Sequence, residues 1–282
     1  MTAQAAPTGS TRPRRRRIAR WRPRTALAVV VLGLAGSQLL ALAFALAVGG
    51  ERGLDWVAAA GILIADAFLV LVVLRFARRG AEKLGAATFG IRRTSFWPAV
   101  GWMLLAYGTV MVFNAVWLLL VGTGSAPGQG GTGGGSPSIA AVVLVVLGVA
   151  IAAPIVEEFV FRGYLFPALA RWRGPWIGAL AGAAVFGVAH CLVYPPQLWP
   201  MMVVFGFAAC MVFWFTGSIL PSIALHAMNN SLVTGIELGW SWEVPLLMVG
   251  CMALSLFLLL PFARERAPQT TPNPGGRHGR TT

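Results

Sequence analysis

Two adjacent glutamates, Glu157 and Glu158, are followed by Arg162 inside an otherwise apolar stretch, and two further apolar stretches each carry a histidine, His190 and His226. An ionisable group at the centre of a bilayer costs at least about 2.5–3.5 kcal/mol, so such groups occur there with a partner or a task. Two of the three histidines of the chain fall in such segments. Carboxylates and imidazoles brought together supply general acid–base chemistry, and hydrogen-bond donors aimed at one oxygen supply an oxyanion hole.

Helical spacing divides these groups by role. Each residue of an α-helix turns about 100°. Glu158 and Arg162 stand at i, i+4 with the acid N-terminal, about 40° apart, which favours an ion pair. Glu157 lies about 140° from Arg162 and cannot share it easily. Glu158 is therefore expected to neutralise Arg162 as a buried structural pair, leaving Glu157 without a local partner as the general base or acid. His226 and Asn230 share a face at i, i+4 and can present donors to one oxygen; Asn229 is the rival, about 60° off on the other side of His226. Phe186 shares the face of His190 and walls the pocket. Counted from the same side of the membrane, Glu157 and His190 are each about 20 Å deep, His226 about 12 Å and Asn230 about 18 Å. Three helices can thus converge polar groups near mid-membrane.

The elements that must position them are membrane spans. The chain is 57% hydrophobic and 11% charged with a mean hydropathy of +0.74, the profile of an all-α, polytopic membrane helical bundle. Runs of about 18 or more mostly apolar residues mark about eight transmembrane helices, near 26–48, 56–74, 97–121, 139–170, 175–194, 198–216, 218–237 and 243–262. The fourth is longer than a bilayer needs, so it is expected to project, tilt or break near Pro154.

A net charge of +13 raises nucleic acid as a partner, but its distribution argues against one. Eight arginines occupy 12–24, and Arg75, Arg78, Arg79, Lys83, Arg92 and Arg93 lie between the second and third spans. Arg171 and Arg173 follow the fourth span, and Arg264, Arg266, Arg277 and Arg280 fill the tail. The alternate connections hold Arg52 as their one basic residue, with Glu51, Asp55, Glu237 and Glu243 near span ends. The positive-inside bias places both termini and the basic loops in the cytoplasm, beside anionic headgroups. Lys83 is the single lysine, an arginine bias that points to a GC-rich bacterial genome and hence a bacterial cell membrane. Ala45-Leu46-Ala47 resembles a signal cleavage site, yet the apolar run before it exceeds the core of a typical signal peptide, so a retained first span is expected. Cys191, Cys210 and Cys251 are odd in number and lack metal-type spacing, so no disulfide framework follows.

The organisation expected along the chain is a basic disordered N-terminus (1–25), a three-span part (26–121) with a cytoplasmic loop at 75–96, a glycine-rich external linker (122–137), a five-span core (138–263) and a disordered tail (264–282). Within the loop, Phe89 to Arg93 is expected to rest at the membrane interface. Gly178 and Gly182 form a small-xxx-small pair suited to close helix contact. Asp66, in the second span, matches no motif and is expected to bond within the bundle or line a polar cavity.

The segments Glu157-Glu158-Phe-Val-Phe-Arg162, Phe186-Gly-Val-Ala-His190 and His226-Ala-Met-Asn-Asn230 resemble the EExxxR, FxxxH and HxxxN motifs of the CAAX-protease and bacteriocin-processing family. The resemblance extends over about residues 139–240, and three motifs in order on three spans are far more specific than one. It implies an intramembrane endopeptidase acting on a membrane-associated or lipidated protein or peptide. Glu157 would activate water with the help of His190, His226 and Asn230 would stabilise the oxyanion, and Glu158 and Arg162 would be structural. No cofactor is assigned. Glu157, His190 and His226 could supply three ligands to a catalytic divalent metal such as zinc, but the HExxH pattern of helix-borne zinc proteases is absent. The competing readings are a non-catalytic membrane scaffold or immunity factor, and a proton-coupled carrier; the lack of an internal repeat weighs against the carrier.

Overall fold

In a bilayer every peptide group must find its hydrogen bond within the chain, so apolar runs of this length fold as helices. The structure, a computed structural model, describes residues 21–48, 54–80, 84–122, 138–191 and 194–267. The basic segment before Trp21, the glycine-rich linker from 123 to 137 and the tail beyond Ala267 lie outside the described residues. The helices are α1 (Pro23–Val48), α2 (Leu54–Ala77), α3 (Phe96–Val121), α4 (Ile139–Val145), α5 (Ala153–Glu158), α6 (Phe166–His190), α7 (Trp199–Thr216), α8 (Leu220–Glu237) and α9 (Glu243–Leu259). Two π-helical segments, π1 (Val146–Ala152) and π2 (Phe159–Leu165), join α4 to α5 and α5 to α6. Among the described residues no strand forms beyond an isolated bridge between Arg93 and Arg266. The architecture is an all-α polytopic bundle.

Six helical runs among the described residues are long and apolar enough to cross a membrane, where about eight crossings are expected from the sequence. Two features account for the difference. The run Ile139–His190 is 52 residues long and counts once, although it turns in the middle. The turn is made by Arg173 (φ −132°, ψ 15°) and Gly174 (φ 84°, ψ 168°), a left-handed position open to glycine, and Pro175 starts the next helical stretch. The second feature is α8, whose 18 residues include Ser222, His226, Asn229, Asn230, Ser231 and Thr234. Eleven of the 18 are buried, so α8 faces protein more than lipid and need not be as apolar as its neighbours. After the turn, α6 runs back beside its own first part. A Cβ on Gly178 would meet the Ala170 nitrogen at 2.6 Å, whereas one on Gly182 would meet nothing closer than Cys210 Sγ at 3.7 Å. Gly178 alone of the pair makes the close backbone approach.

The helix does not break at Pro154; it widens. Ala153 N–H donates to Gly148 O and Phe166 N–H donates to Phe161 O, each five residues back. The next residues are Pro154 and Pro167. A proline inside an α-helix lacks its N–H and presses its ring on the carbonyl four residues earlier. A π turn moves that carbonyl aside, so the chain gives up one hydrogen bond and keeps the helix. In this register the carbonyl left over by Pro154 is that of Val149, and it accepts instead from Asn230 Nδ2 at 2.9 Å.

One end of the bundle gathers distant segments. Trp21 donates its indole N–H to Ala77 O at 3.1 Å, and its ring lies 5.4 Å from Phe89 and 4.6 Å from Tyr164. Phe89 is buried against Phe159 rather than lying at the membrane interface as expected. The cause is backbone pairing: Ile219 N–H donates to Gly90 O at 2.9 Å, and Ser218 Oγ to Arg92 O at 2.6 Å. Arg93 exchanges backbone hydrogen bonds with Glu265 and Ala267. The start of α1, the basic α2–α3 connection, the α7–α8 turn and the end of α9 therefore share one side.

Candidate active site

Glu158 and Arg162 form the expected ion pair, with Nη1 to Oε1 at 2.8 Å and both side chains fully buried. A buried guanidinium must have its donors satisfied. Arg162 accordingly gives a second hydrogen bond to Gly206 O on α7 at 3.0 Å and lies 4.8 Å over the Phe186 ring. The pair thus ties π2 to α6 and α7. Glu158 does more than hold Arg162, because the same Oε1 is 2.9 Å from His226 Nδ1. A carboxylate already paired with a guanidinium accepts, so the proton of this bond is assigned to Nδ1 and the free Nε2 of His226 points away from Glu158.

His190 is arranged in the same way by different means. Its Nδ1 lies 2.8 Å from Phe186 O, and a carbonyl only accepts, so Nδ1 is the donor. Its ring is flanked by Phe186, one turn before, at 4.5 Å, and by Tyr194, four residues after, at 6.0 Å. Phe186 is fully buried at the centre of the layer, with Phe161, Phe205 and His226 at 5.0, 6.0 and 5.9 Å.

Both Nε2 atoms face one atom of α5. Glu157 Oε2 is 3.8 Å from His190 Nε2 and 3.9 Å from His226 Nε2. These separations are too long for direct hydrogen bonds. The oxygen is buried and has no hydrogen-bond partner among the described residues. With each Nδ1 carrying its proton, three lone pairs converge, an arrangement that calls for a proton donor such as water between them. Glu157 is 21% exposed, His190 18% and His226 3%, so the point of convergence is reachable from the side of Glu157 and His190.

The structure thus brings together Glu157, His190, His226 and Phe186, with Glu158 and Arg162 behind them. Asn230 sits one turn beyond His226, with one amide N–H committed to Val149 O and the other uncommitted by that bond. Asp66 faces the long helix from α2, which packs on α4, π1, α5 and π2. Its Oδ2 is buried without a hydrogen-bond partner among the described residues, within electrostatic reach of Glu157. Two contributors were not apparent from sequence: the bond from Glu158 to His226, which spans 68 residues, and Tyr194. The i, i+4 spacing from His190 to Tyr194 was the available signal.

A tetrahedral zinc holds its ligands at about 2.0–2.1 Å, which spaces them about 3.3 Å apart. The 3.8 and 3.9 Å separations stand wide of that. Among the described residues no group of three or more His, Cys, Asp or Glu side chains is arranged to hold a metal ion.

Residues 139–232 match the family described as Rce1-like, type II CAAX prenyl endopeptidase. No curated protein and no solved structure matches the chain. The matched segment, a third of the chain, contains every residue of the converging set. The protein is a multi-pass integral membrane protein.

Proposed function

We propose that this protein is an intramembrane endopeptidase that hydrolyses a peptide bond of a membrane-associated or lipidated protein with a water activated by Glu157. The observation that carries this reading is the unpartnered Glu157 oxygen faced by two imidazole nitrogens at 3.8 and 3.9 Å. A water at that point gives one hydrogen to Glu157 and directs the other to His190 Nε2. Its oxygen attacks the scissile carbonyl carbon as Glu157 takes the proton. The carbonyl oxygen becomes the oxyanion, held by the remaining N–H of Asn230 and by His226 when Glu157 hands the water's proton to its Nε2. Collapse breaks the carbon–nitrogen bond as the proton of the newly added hydroxyl passes, through Glu157 or His190, to the leaving amine, and His226 returns its proton. Glu158 fixes the tautomer of His226, and Arg162 keeps Glu158 in place.

The family description favours a substrate with a lipid-modified C-terminal region. The basic segments gathered at one end of the bundle favour a cytoplasmic position for that end and for both termini. The reaction needs no metal in this reading, so dialysis against a chelator leaves cleavage intact; cleavage that is lost and then restored by zinc contradicts it. The direct test compares membrane-fraction proteomes of cells carrying the wild type or Glu157→Gln and searches for new protein termini. Termini present with the wild type and absent with the variant are expected. Identical termini with both proteins refute the assignment.

A further inference from the structure

We propose that Tyr194 is a further catalytic residue, whose phenol hydroxyl donates a hydrogen bond to the substrate carbonyl oxygen as it becomes an oxyanion. This inference rests on the peptidase reading above.

The donors available when attack begins are few. His226 and His190 each spend their Nδ1–H on Glu158 and on Phe186 O, and their Nε2 atoms are acceptors until one gains a proton. Asn230 has one N–H on Val149 O. An oxyanion hole is effective when its donors are in place before charge develops, because they need not reorganise. A neutral His226 does not meet that condition.

Tyr194 does. It lies in the connection between α6 and α7, with its ring stacked on His190 at 6.0 Å and an interplanar angle of 22°. Its backbone is fixed from both sides: its N–H donates to His190 O at 2.9 Å, and its carbonyl accepts from Trp199 Nε1 at 2.8 Å. Trp117 Nε1 pins the same connection to α3 through Gln197 O at 2.7 Å. The ring is thus held against the histidine by hydrogen bonds that do not involve its hydroxyl. That hydroxyl has no hydrogen bond to a described residue. A phenol keeps its proton at neutral pH, so the hydroxyl is a donor there. A donor on a ring fixed beside His190, with no hydrogen bond to a described residue, is what the opening step lacks.

The test uses purified full-length protein and a synthetic peptide spanning the bond identified by the comparison of termini. Tyr194→Phe keeps the ring on His190 and removes the hydroxyl. Loss of one oxyanion donor lowers kcat about 10²–10³-fold, so a fall of that order is expected, with KM and melting temperature close to wild type. Tyr194→Leu, which also removes the ring, is expected to lose at least as much. If Glu157→Gln is inactive and Tyr194→Phe turns over like the wild type, the hydroxyl has no such role and the inference is overturned. A Tyr194→Phe protein that loses melting temperature in step with activity assigns Tyr194 to structure and overturns it as well. If Glu157→Gln matches the wild type in cells, so that no bond is identified, the peptidase reading fails and takes this inference with it.

Discussion

His226 and Glu158 are joined by a 2.9 Å hydrogen bond between Nδ1 and Oε1, so the glutamate that neutralises Arg162 also sets the proton of a site histidine. A neat separation of the two glutamates into a structural and a chemical member therefore does not hold. Both act on the same point, Glu157 from the front and Glu158 through the imidazole.

Glu158→Gln is expected to fail twice. It leaves the fully buried Arg162 without a counter-charge, a loss of roughly 3–5 kcal/mol. It also weakens the bond that holds the His226 tautomer. Melting temperature in detergent and peptide cleavage should fall together, and a variant that melts normally would show that Arg162 draws its support from elsewhere.

Glu157→Gln should separate the two properties. The substitution removes a partly buried carboxylate that has no fixed counter-ion, so stability should equal or exceed that of the wild type while cleavage drops by orders of magnitude. Thermal melting and cleavage measured in one detergent decide the matter. If Glu157→Gln melts well below Glu158→Gln, and Glu158→Gln loses only activity, the roles are reversed.

Asn230→Ala should orphan the Val149 carbonyl, at a cost of about 1–3 kcal/mol. The second-site change Pro154→Ala restores a backbone N–H five residues after Val149, in the first turn of α5. The double variant should therefore recover much of the lost melting temperature without recovering cleavage. Equal stability of the single and double variants would mean that Val149 O finds another partner.

Asp66→Asn removes a charge whose Oδ2 lacks a hydrogen-bond partner among the described residues, and it should melt at or above the wild type with most of the cleavage retained. A loss as deep as that of Glu157→Gln would place Asp66 among the reacting groups.

The helices and the Glu158–Arg162 pair were legible in the sequence because both rest on local rules, apolar run length and i, i+4 spacing. The meeting of Glu157, His190 and His226 was legible as depth along three runs, although depth alone does not say which ring nitrogen faces inward. What escaped was non-local or non-ideal. Pro154 reads as a possible break, and only the structure around it reveals a π turn satisfied by Asn230, 81 residues away. Phe89 reads as an interfacial aromatic until the α7–α8 turn supplies backbone partners that draw its segment inward. α8 falls short as a lipid-facing span because its neighbours supply its surroundings.

The widened turns on either side of Glu157 carry a further consequence for the relation between chain length and aim. A π turn takes in one residue more than an α turn for the same passage round the axis. A chain lacking one residue of Val146–Ala152 would therefore close into an α turn and leave Glu157 facing the two imidazoles much as before. It would lose the room beside Pro154 instead: the ring would press on the carbonyl four residues before it, and Asn230 would face no surplus carbonyl. The additional residue here is slack wound around a proline, and a count of residues between motifs does not by itself tell the direction in which a side chain looks.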